Sequence, residues 1–483
     1  MAKFNSIDRK NPDTFTHEGA PAYTRDSIEA WINMLFSSFL ENQYYETSNE
    51  QISRFIELTN EVAEEYGYAF VAKAAIFVRN QLGMRSITQL TAAWLNDKTF
   101  QEKRNFYKAF MRRPDDVSEI FAAVDYLGGK RSHALIKGSA DYLSSLGEYQ
   151  IMKYKMIGHK YNMYDLINLT HAKSSVINAF KHDELEAPNT WEVNISTAKT
   201  DKDRMSQWQK MVEEGSLGYM ALLRNLNNIL NTNNPSINHN WIVKYLVPQL
   251  TDENKIRKSL VFPYRIYTAY SNLKVQNSAV IDALDKAFRI ATANVPVFNG
   301  KNLIVLDVSG SMDSLVSNKS CVTLKEIGAC FAATLIANGS DVDFIKFGTQ
   351  AKAIDVSKLK LSSCFSIIDI LKDNDRCGFS TELESVMDLI QHNDTNYDKI
   401  FLISDMQIFD SRMRWMRNPI DRWKSIINGA MTYSFDLANY RSQIEPPSNK
   451  FMFLTSLSDT FFKYIDIMDG KDDIVNLINS ISF

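Results

Sequence analysis

From about residue 24 to residue 293 the apolar residues recur at helical spacing. "DSIEAWINMLFSSFLEN" places Ile28, Trp31, Ile32, Leu35 and Phe39 on one stripe of an amphipathic helix. "NEQISRFIELTNEVAEEYG" predicts a second helix that stops at Gly67, a natural residue for a left-handed helix end. "YAFVAKAAIFVRNQLG" stops in the same way at Gly83. "RPDDVSEIFAAVDYLGG" opens with a proline and an acidic first turn and stops at Gly128–Gly129. Helices of about 12 to 18 residues with links of about two to five continue to "SAVIDALDKAFRIATANVP". Short links make antiparallel neighbours, and stacked pairs make an α-solenoid of HEAT-like type, here without a strict sequence period.

Near "NVPVFNGKN" the pattern changes. "NLIVLDV", "DVDFIKFG", "KIFLISD", "AMTYSFD" and "KFMFLTS" are short runs rich in Val, Ile, Leu and Phe. They alternate with helical segments such as "CVTLKEIGACFAATLIAN" and "STELESVMDLIQHN". Strands buried on both faces with helices between them predict an α/β, doubly wound, mostly parallel sheet. The expected organisation is therefore multidomain: a helical domain over residues 1–295 and an α/β domain over residues 296–483.

The first of these strands ends in "KNLIVLDVSGSMDS". Asp307, Ser309 and Ser311 occupy alternate positions where the strand runs out, and alternate side chains of an extended stretch point the same way. Thr381 lies in "CGFSTELE", a turn opening a helix, and Asp405 ends "KIFLISD". Ligands of open parallel sheets sit beyond the carboxyl ends of the strands. Five oxygen donors including two carboxylates, with an open position, suit Mg²⁺ or Mn²⁺. Alone, the Asp–x–Ser–x–Ser run reads first as a helix N-cap, whose Ser and Asp satisfy free amides. The full order resembles the metal-ion-dependent adhesion site of a von Willebrand factor A domain. That resemblance implies capture of a partner's carboxylate on the cation, and Glu382 beside Thr381 departs from the pattern by adding an acid. The α/β segment holds one histidine, His392, at the end of a predicted helix, and shows no nucleophile with a general base. Enzymatic activity is not expected.

Composition narrows the choices further. The chain has 483 residues, 45% apolar and 23% charged, ordinary for a folded protein. Its net charge of −3 hides an asymmetry. Lys and Arg number 35 against 33 acids over residues 1–300, and 19 against 24 over the rest. A nucleic-acid role must therefore rest on a local basic patch. No run approaches the roughly 20 apolar residues of a membrane-spanning helix. The start, "MAKFNSIDRKNPDTF", lacks an apolar signal core, and the four cysteines show no CxxC spacing. A cytoplasmic, membrane-free monomer is the expectation.

Such a patch lies in residues 130–182, with eight Lys/Arg against three Asp/Glu and four of the seven histidines. Tyrosines 142, 149, 154, 161 and 164 interleave with them. Cations neutralise phosphates and aromatic rings stack on unpaired bases, so the mix suits single-stranded RNA. The same composition also describes a solvated helix face with half-buried tyrosines.

A helical domain opening near "THEGAPAY", carrying "KGSADYL" and "MKYK…YDLINLTH", and followed by an A-type domain resembles the TROVE-module Ro proteins of the bacterial or phage type. That resemblance implies helical repeats closed into a ring, with a basic channel for single-stranded 3′ ends of misfolded small RNAs. It also implies an outer face for Y RNA, and in bacterial members an exoribonuclease, polynucleotide phosphorylase, tethered through that RNA. Carried onto this chain, it marks Lys153, Lys155 and His171 as RNA-binding, with Lys137, His159, Lys160 and Lys173 added by proximity and chemistry. Arg131 and Arg85 are further candidate phosphate contacts. The other function class left open is a cytosolic adaptor that docks an acidic partner residue on the metal site.

Overall fold

The computed structural model describes residues 14–15, 21–24, 27–37, 40, 47–186, 190–231, 234–316, 320–393, 395–407, 423, 426–427, 429–438, 442–443, 451–455 and 474–483. Of the "THEGAPAY" signature, residues 16–20 lie outside them, as does Phe39 of the first stripe. Packing divides the chain into two compact units. One comprises residues 27–40, 48–199 and 463–483, the other residues 1–26, 41–47 and 200–462.

The first unit is helical. Its first helix, Ser27–Ser37, buries Trp31, Ile32 and Leu35, and Ser48–Tyr66 ends at Gly67 with φ of +85°. Pro114–Tyr126 starts at its proline, and Gly128 turns the chain with φ of +71°. Beyond Ser144 the helices are shorter than the expected 12 to 18 residues. Glu148–Lys153 spans 6, Met163–Thr170 spans 8 and Ser175–Lys181 spans 7. The side chains of Asn162 and Ser174 cap the latter two, so polar residues divide what periodicity reads as longer segments. Two helices cross closely at Gly138 in His133–Ser144. A Cβ there would stand 2.6 Å from the Tyr107 Cβ and 2.7 Å from the Arg104 carbonyl oxygen of Lys103–Phe110.

The same unit takes the last helix, Ile474–Asn479. Leu477 and Ile478 are buried, Lys73 donates to the Asn479 carbonyl at 2.6 Å, and the Phe483 ring meets Phe100 and Phe106 edge-on. The 296–483 span expected as one domain is thus divided in packing.

The second unit holds every strand described: β1 (Thr14–Phe15), β2 (Pro21–Thr24), β3 (Lys301–Asp307), β4 (Asp341–Phe347), β5 (Ala351–Ile354), β6 (Lys399–Ser404), β7 (Met431–Asp436), β8 (Ser442–Gln443) and β9 (Phe451–Thr455). β1, β2 and β8 form a small antiparallel sheet. The main sheet has the order β5-β4-β3-β6-β7-β9 and is parallel except for β5, which pairs antiparallel with β4. All five apolar runs singled out above are strands of it; the short exposed edge strand β5 is an addition. The helix Leu324–Ala337 packs on β3 and β4, with Phe331 against Phe401 and Phe435. Val386, Met387 and Ile390 of the helix Leu383–Asn393 cover Leu303, Val305, Ile400 and Leu402 in a second apolar cluster. Burial on both faces explains why these strands lack alternation.

Residues 200–294, although helical, group with this sheet, so the packing boundary lies at residue 200 and the change of secondary structure near residue 295. The helix Pro263–Ser271 stacks Tyr270 on Phe365, with ring centroids 4.2 Å apart. Its Tyr267 donates to Glu326, which also pairs with Lys372 at 2.9 Å. No helix among the described residues is long and apolar enough to cross a membrane.

Candidate functional site

From β3 the chain runs through β4 and β5 to one edge of the sheet, and from β6 through β7 and β9 to the other. β3 and β6 are parallel neighbours, so the order reverses between them, and open parallel sheets bind their ligands beyond the carboxyl ends of strands at such a point. Asp307 ends β3 and Asp405 follows β6 at that point. Both are buried, as are Ser309 and Thr381.

The geometry of the loops is specific. Asp307 Oδ1 accepts from the Ser309 N–H at 2.9 Å, and Asp307 Oδ2 accepts from the Ser404 hydroxyl at 2.6 Å. The Ser309 and Ser311 hydroxyls are 3.4 Å apart, near the roughly 3 Å edge of an octahedral oxygen shell around a small divalent ion. Thr381 arrives on a loop whose Phe379 carbonyl accepts from the Gly310 N–H at 3.2 Å. Asp405 Oδ1 accepts from the Gln407 N–H at 3.2 Å. Burial, and then the charge of Asp405, push the Asp307 carboxyl up to about 7, against the hydrogen bonds from Ser404 and Ser309 that favour its ionised form.

Two buried carboxylates, one raising the ionisation cost of the other, are a donor set suited to a divalent cation. Hydroxyls from Ser309, Ser311 and Thr381 would supply the neutral ligands. Among the described residues no three His, Cys, Asp or Glu gather into a metal-binding group, so any cation here depends on those hydroxyls. Ser404 was not singled out in the sequence; the signal was a hydroxyl closing a buried strand immediately before Asp405.

The basic stretch of the other unit resolves into two classes. Asp125 takes Arg131 at 2.8 Å and Lys160 at 2.7 Å, and the Tyr161 hydroxyl bonds the same carboxylate. Burial works against the Asp125 charge, yet the hydrogen bonds from Lys160 and Tyr161, with the Arg131 guanidinium, hold it below the usual carboxylate range. Arg131 also lies over the rings of Phe121 and Tyr161. Lys153 donates to the Tyr149 hydroxyl at 3.2 Å and lies 3.7 Å from Glu192. Arg85 pairs with Asp115 at 2.7 Å. These cations are already committed.

Lys137, Lys155, His159, His171 and Lys173 have no ion pair among the described residues. Lys155 stands 6.0 Å over the Phe180 ring, which Tyr164 stacks at 4.4 Å. His171 ends the helix Met163–Thr170 in a left-handed turn with φ of +58° and is exposed. The Lys173 amide donates to Ser144 at 3.1 Å, and its side chain is exposed. Lys137 lies near Asp141, whose carboxylate Arg104 takes with bonds of 2.7 and 2.8 Å. Sequence reasoning missed Arg113, whose guanidinium lies 5.1 Å over the Tyr154 ring between Lys153 and Lys155, although it too is paired, with Asp115 at 3.1 Å.

Residues 147–281 match the TROVE domain family. Telomerase protein component 1 of Rattus norvegicus is 32% identical over 90 residues, 19% of this chain and 3% of the rat protein. RNA-binding protein RO60 of Deinococcus radiodurans is 30% identical over 106 residues, 20% of each chain. The matched stretches thus span far less than two thirds of these relatives. In fold, the chain is similar to the crystal structure of the Deinococcus radiodurans RO (RSR) protein. The TM-score is 0.63 at 16% identity, covering 90% of this chain and 99% of that one.

Proposed function

We propose that the chain is a Ro-type TROVE-domain protein and acts as an RNA-binding scaffold rather than an enzyme, a reading supported by the TROVE match over residues 147–281 and the similarity to RO60. In this reading it binds a small structured noncoding RNA of the Y type and single-stranded 3′ ends of misfolded small RNAs. It presents them to an exoribonuclease such as polynucleotide phosphorylase in the cytoplasm. The observation that carries the reading is the set of uncommitted cations beside exposed aromatic surface within and next to the TROVE-matching stretch. Its centre is Lys155 with the exposed ring of Tyr164, both set against the buried Phe180, and His171 and Lys173 are exposed in the same stretch. Cations and stackable rings together are what single strands require. In this reading the helices are HEAT-like repeats.

The test is to isolate the protein from its native host at low salt with nucleases inhibited, and to sequence the RNA that accompanies it. A discrete small structured RNA is expected. Protein free of RNA, and without affinity for a single-stranded oligonucleotide at low salt, would sink the reading.

A second reading concerns the sheet and is compatible with the first. The α/β part acts as a von Willebrand A-type domain whose loops would hold Mg²⁺ or Mn²⁺ through Asp307, Ser309, Ser311, Thr381 and Asp405. When bound, the cation supplies an open coordination position for a carboxylate oxygen of a partner. The buried Asp307–Asp405 pair favours this reading. Ser404 and the Ser309 amide orient Asp307, and Gln407 orients Asp405. Calorimetric titration of the protein with Mn²⁺ tests it: no binding by wild-type protein would dismiss it.

A further inference from the structure

No strand pairing joins the loop of Ser309 and Ser311 to the loop of Thr381. Hydrogen bonds join them, and one side chain reaches both. Asn374 Nδ2 donates to the Val308 carbonyl at 2.8 Å and to the Gly378 carbonyl at 2.8 Å. Its Oδ1 accepts from the Gly378 N–H at 3.2 Å. Val308 lies between Asp307 and Ser309, and Gly378 lies three residues before Thr381.

The surroundings leave Asn374 little freedom. Lys346 of β4, 1% exposed, donates to the carbonyls of Ile370 at 3.0 Å and Asp373 at 2.8 Å. It thereby closes the carboxyl end of the helix Cys364–Lys372 just before Asn374. On the far side the Thr381 loop is held to the turn after β4. Gln350 N–H donates to Cys377 at 2.8 Å, Glu382 N–H donates to Gly348 at 2.9 Å, and Ser380 N–H donates to Thr349 at 3.3 Å. Gly348 and Gly378 meet so closely that a Cβ on Gly348 would stand 2.2 Å from the Gly378 carbonyl oxygen. These bonds fix the Thr381 loop against β4, but the bond that sets its spacing from the Ser309 loop through a side chain is that of Asn374.

We propose that Asn374 is a positioning residue of the divalent-cation site, clamping the loop that carries Ser309 and Ser311 to the loop that carries Thr381. The proposal rests on the metal reading of those loops. Asn374 does not touch the cation; it sets the distance between hydroxyls that do. Small ions at short metal–oxygen distances tolerate little displacement of their ligands, so loosening the clamp weakens binding without removing a ligand.

The experiment is calorimetric titration of the full chain with Mn²⁺ for wild type, Asp307→Ala, Asn374→Ala and Asn374→Asp, with circular dichroism to verify folding. Wild type binds and Asp307→Ala does not. Asn374→Ala weakens binding by about 10-fold or more, the usual scale for residues that orient ligands. Asn374→Asp gives a test of sign. It keeps the acceptor for Gly378 but loses both donated bonds, while adding a negative charge near a cation. A clamp predicts weaker binding despite that charge, whereas a bystander predicts tighter binding. Should Asn374→Ala fail to fold, Asn374→Asp decides alone. Normal affinity in folded Asn374→Ala, or tighter binding in Asn374→Asp, with wild type binding and Asp307→Ala silent, overturns the clamp and leaves the metal reading standing. A wild type that does not bind Mn²⁺ overturns both.

Discussion

Asp307 and Asp405 lie buried at the carboxyl ends of neighbouring parallel strands, and the charge of one raises the cost of ionising the other. A fold does not gain stability from such a pair by itself, since two like charges out of water repel and are poorly solvated. The arrangement would become favourable with a divalent cation held by these carboxylates and the hydroxyls of Ser309, Ser311 and Thr381. It is at once a local weakness and the chemical argument for a metal site.

The weakness predicts an unusual response to substitution. In a chelating buffer, Asp307→Asn removes charge repulsion and desolvation while keeping an oxygen for the Ser309 amide, so its thermal midpoint equals or exceeds that of wild type. Adding Mg²⁺ raises the wild-type midpoint, by about 2.7 kcal/mol of stability at a hundred-fold excess over the dissociation constant. The variant shows no such rise. A midpoint for Asp307→Asn that climbs with Mg²⁺ as steeply as wild type counts against the assignment.

Asp125 predicts which basic residues matter to RNA. The charges of Arg131 and Lys160 are offset by that carboxylate, whereas those of Lys137, Lys155 and Lys173 are not. Fluorescence anisotropy with a single-stranded RNA across a series of KCl concentrations separates them. Lys155→Ala and Lys173→Ala each reduce the log–log salt slope by about 0.7. Lys160→Ala changes it less. Equal losses for Lys155→Ala and Lys160→Ala would remove the distinction.

Glu326 predicts a pH dependence. Burial opposes its charge, but the Thr323 amide and Lys372 outweigh burial and hold its carboxyl below the usual range. A carboxyl depressed on folding contributes stability above its unfolded value, and that contribution is lost as pH falls through the folded value. Stability therefore declines in acid below about pH 4.5. Glu326→Gln removes this share of the decline and costs about 1–3 kcal/mol at neutral pH, the scale of hydrogen bonds to charged groups. Urea denaturation between pH 3 and 7 is the measurement; parallel curves for the two proteins would contradict the argument.

Gly138 predicts a packing limit. Gly138→Ala would drive its methyl group into the Tyr107 Cβ and the Arg104 carbonyl, a contact that backbone atoms cannot relieve by rotation. The expected loss is about 1–3 kcal/mol. A thermal midpoint indistinguishable from wild type would show that the two helices separate freely.

Local pattern determined a good deal of this protein. Apolar spacing marks the helices over Ser48–Tyr66 and Pro114–Tyr126, with their glycine stops, because a helix face and its C-terminal turn are properties of a few consecutive residues. Runs such as "NLIVLDV" and "KIFLISD" announce strands buried on both sides, and the oxygen-rich turn after Asp307 announces its own chemistry. Tertiary structure alone decided the rest. Nothing local tells β3 to pair with β6, yet that pairing brings Ser404 onto Asp307 across 97 residues and makes one site of separate loops. Nothing in the basic composition of residues 130–182 says that Asp125 lies against Arg131 and Lys160 and offsets them. The last helix shows no local preference for either unit, and the rings of Phe100 and Phe106 settle it through Phe483. Periodicity records which face of an element is buried; it carries no record of the partner, because strand order, ion pairing and docking are set by residues far apart in the chain.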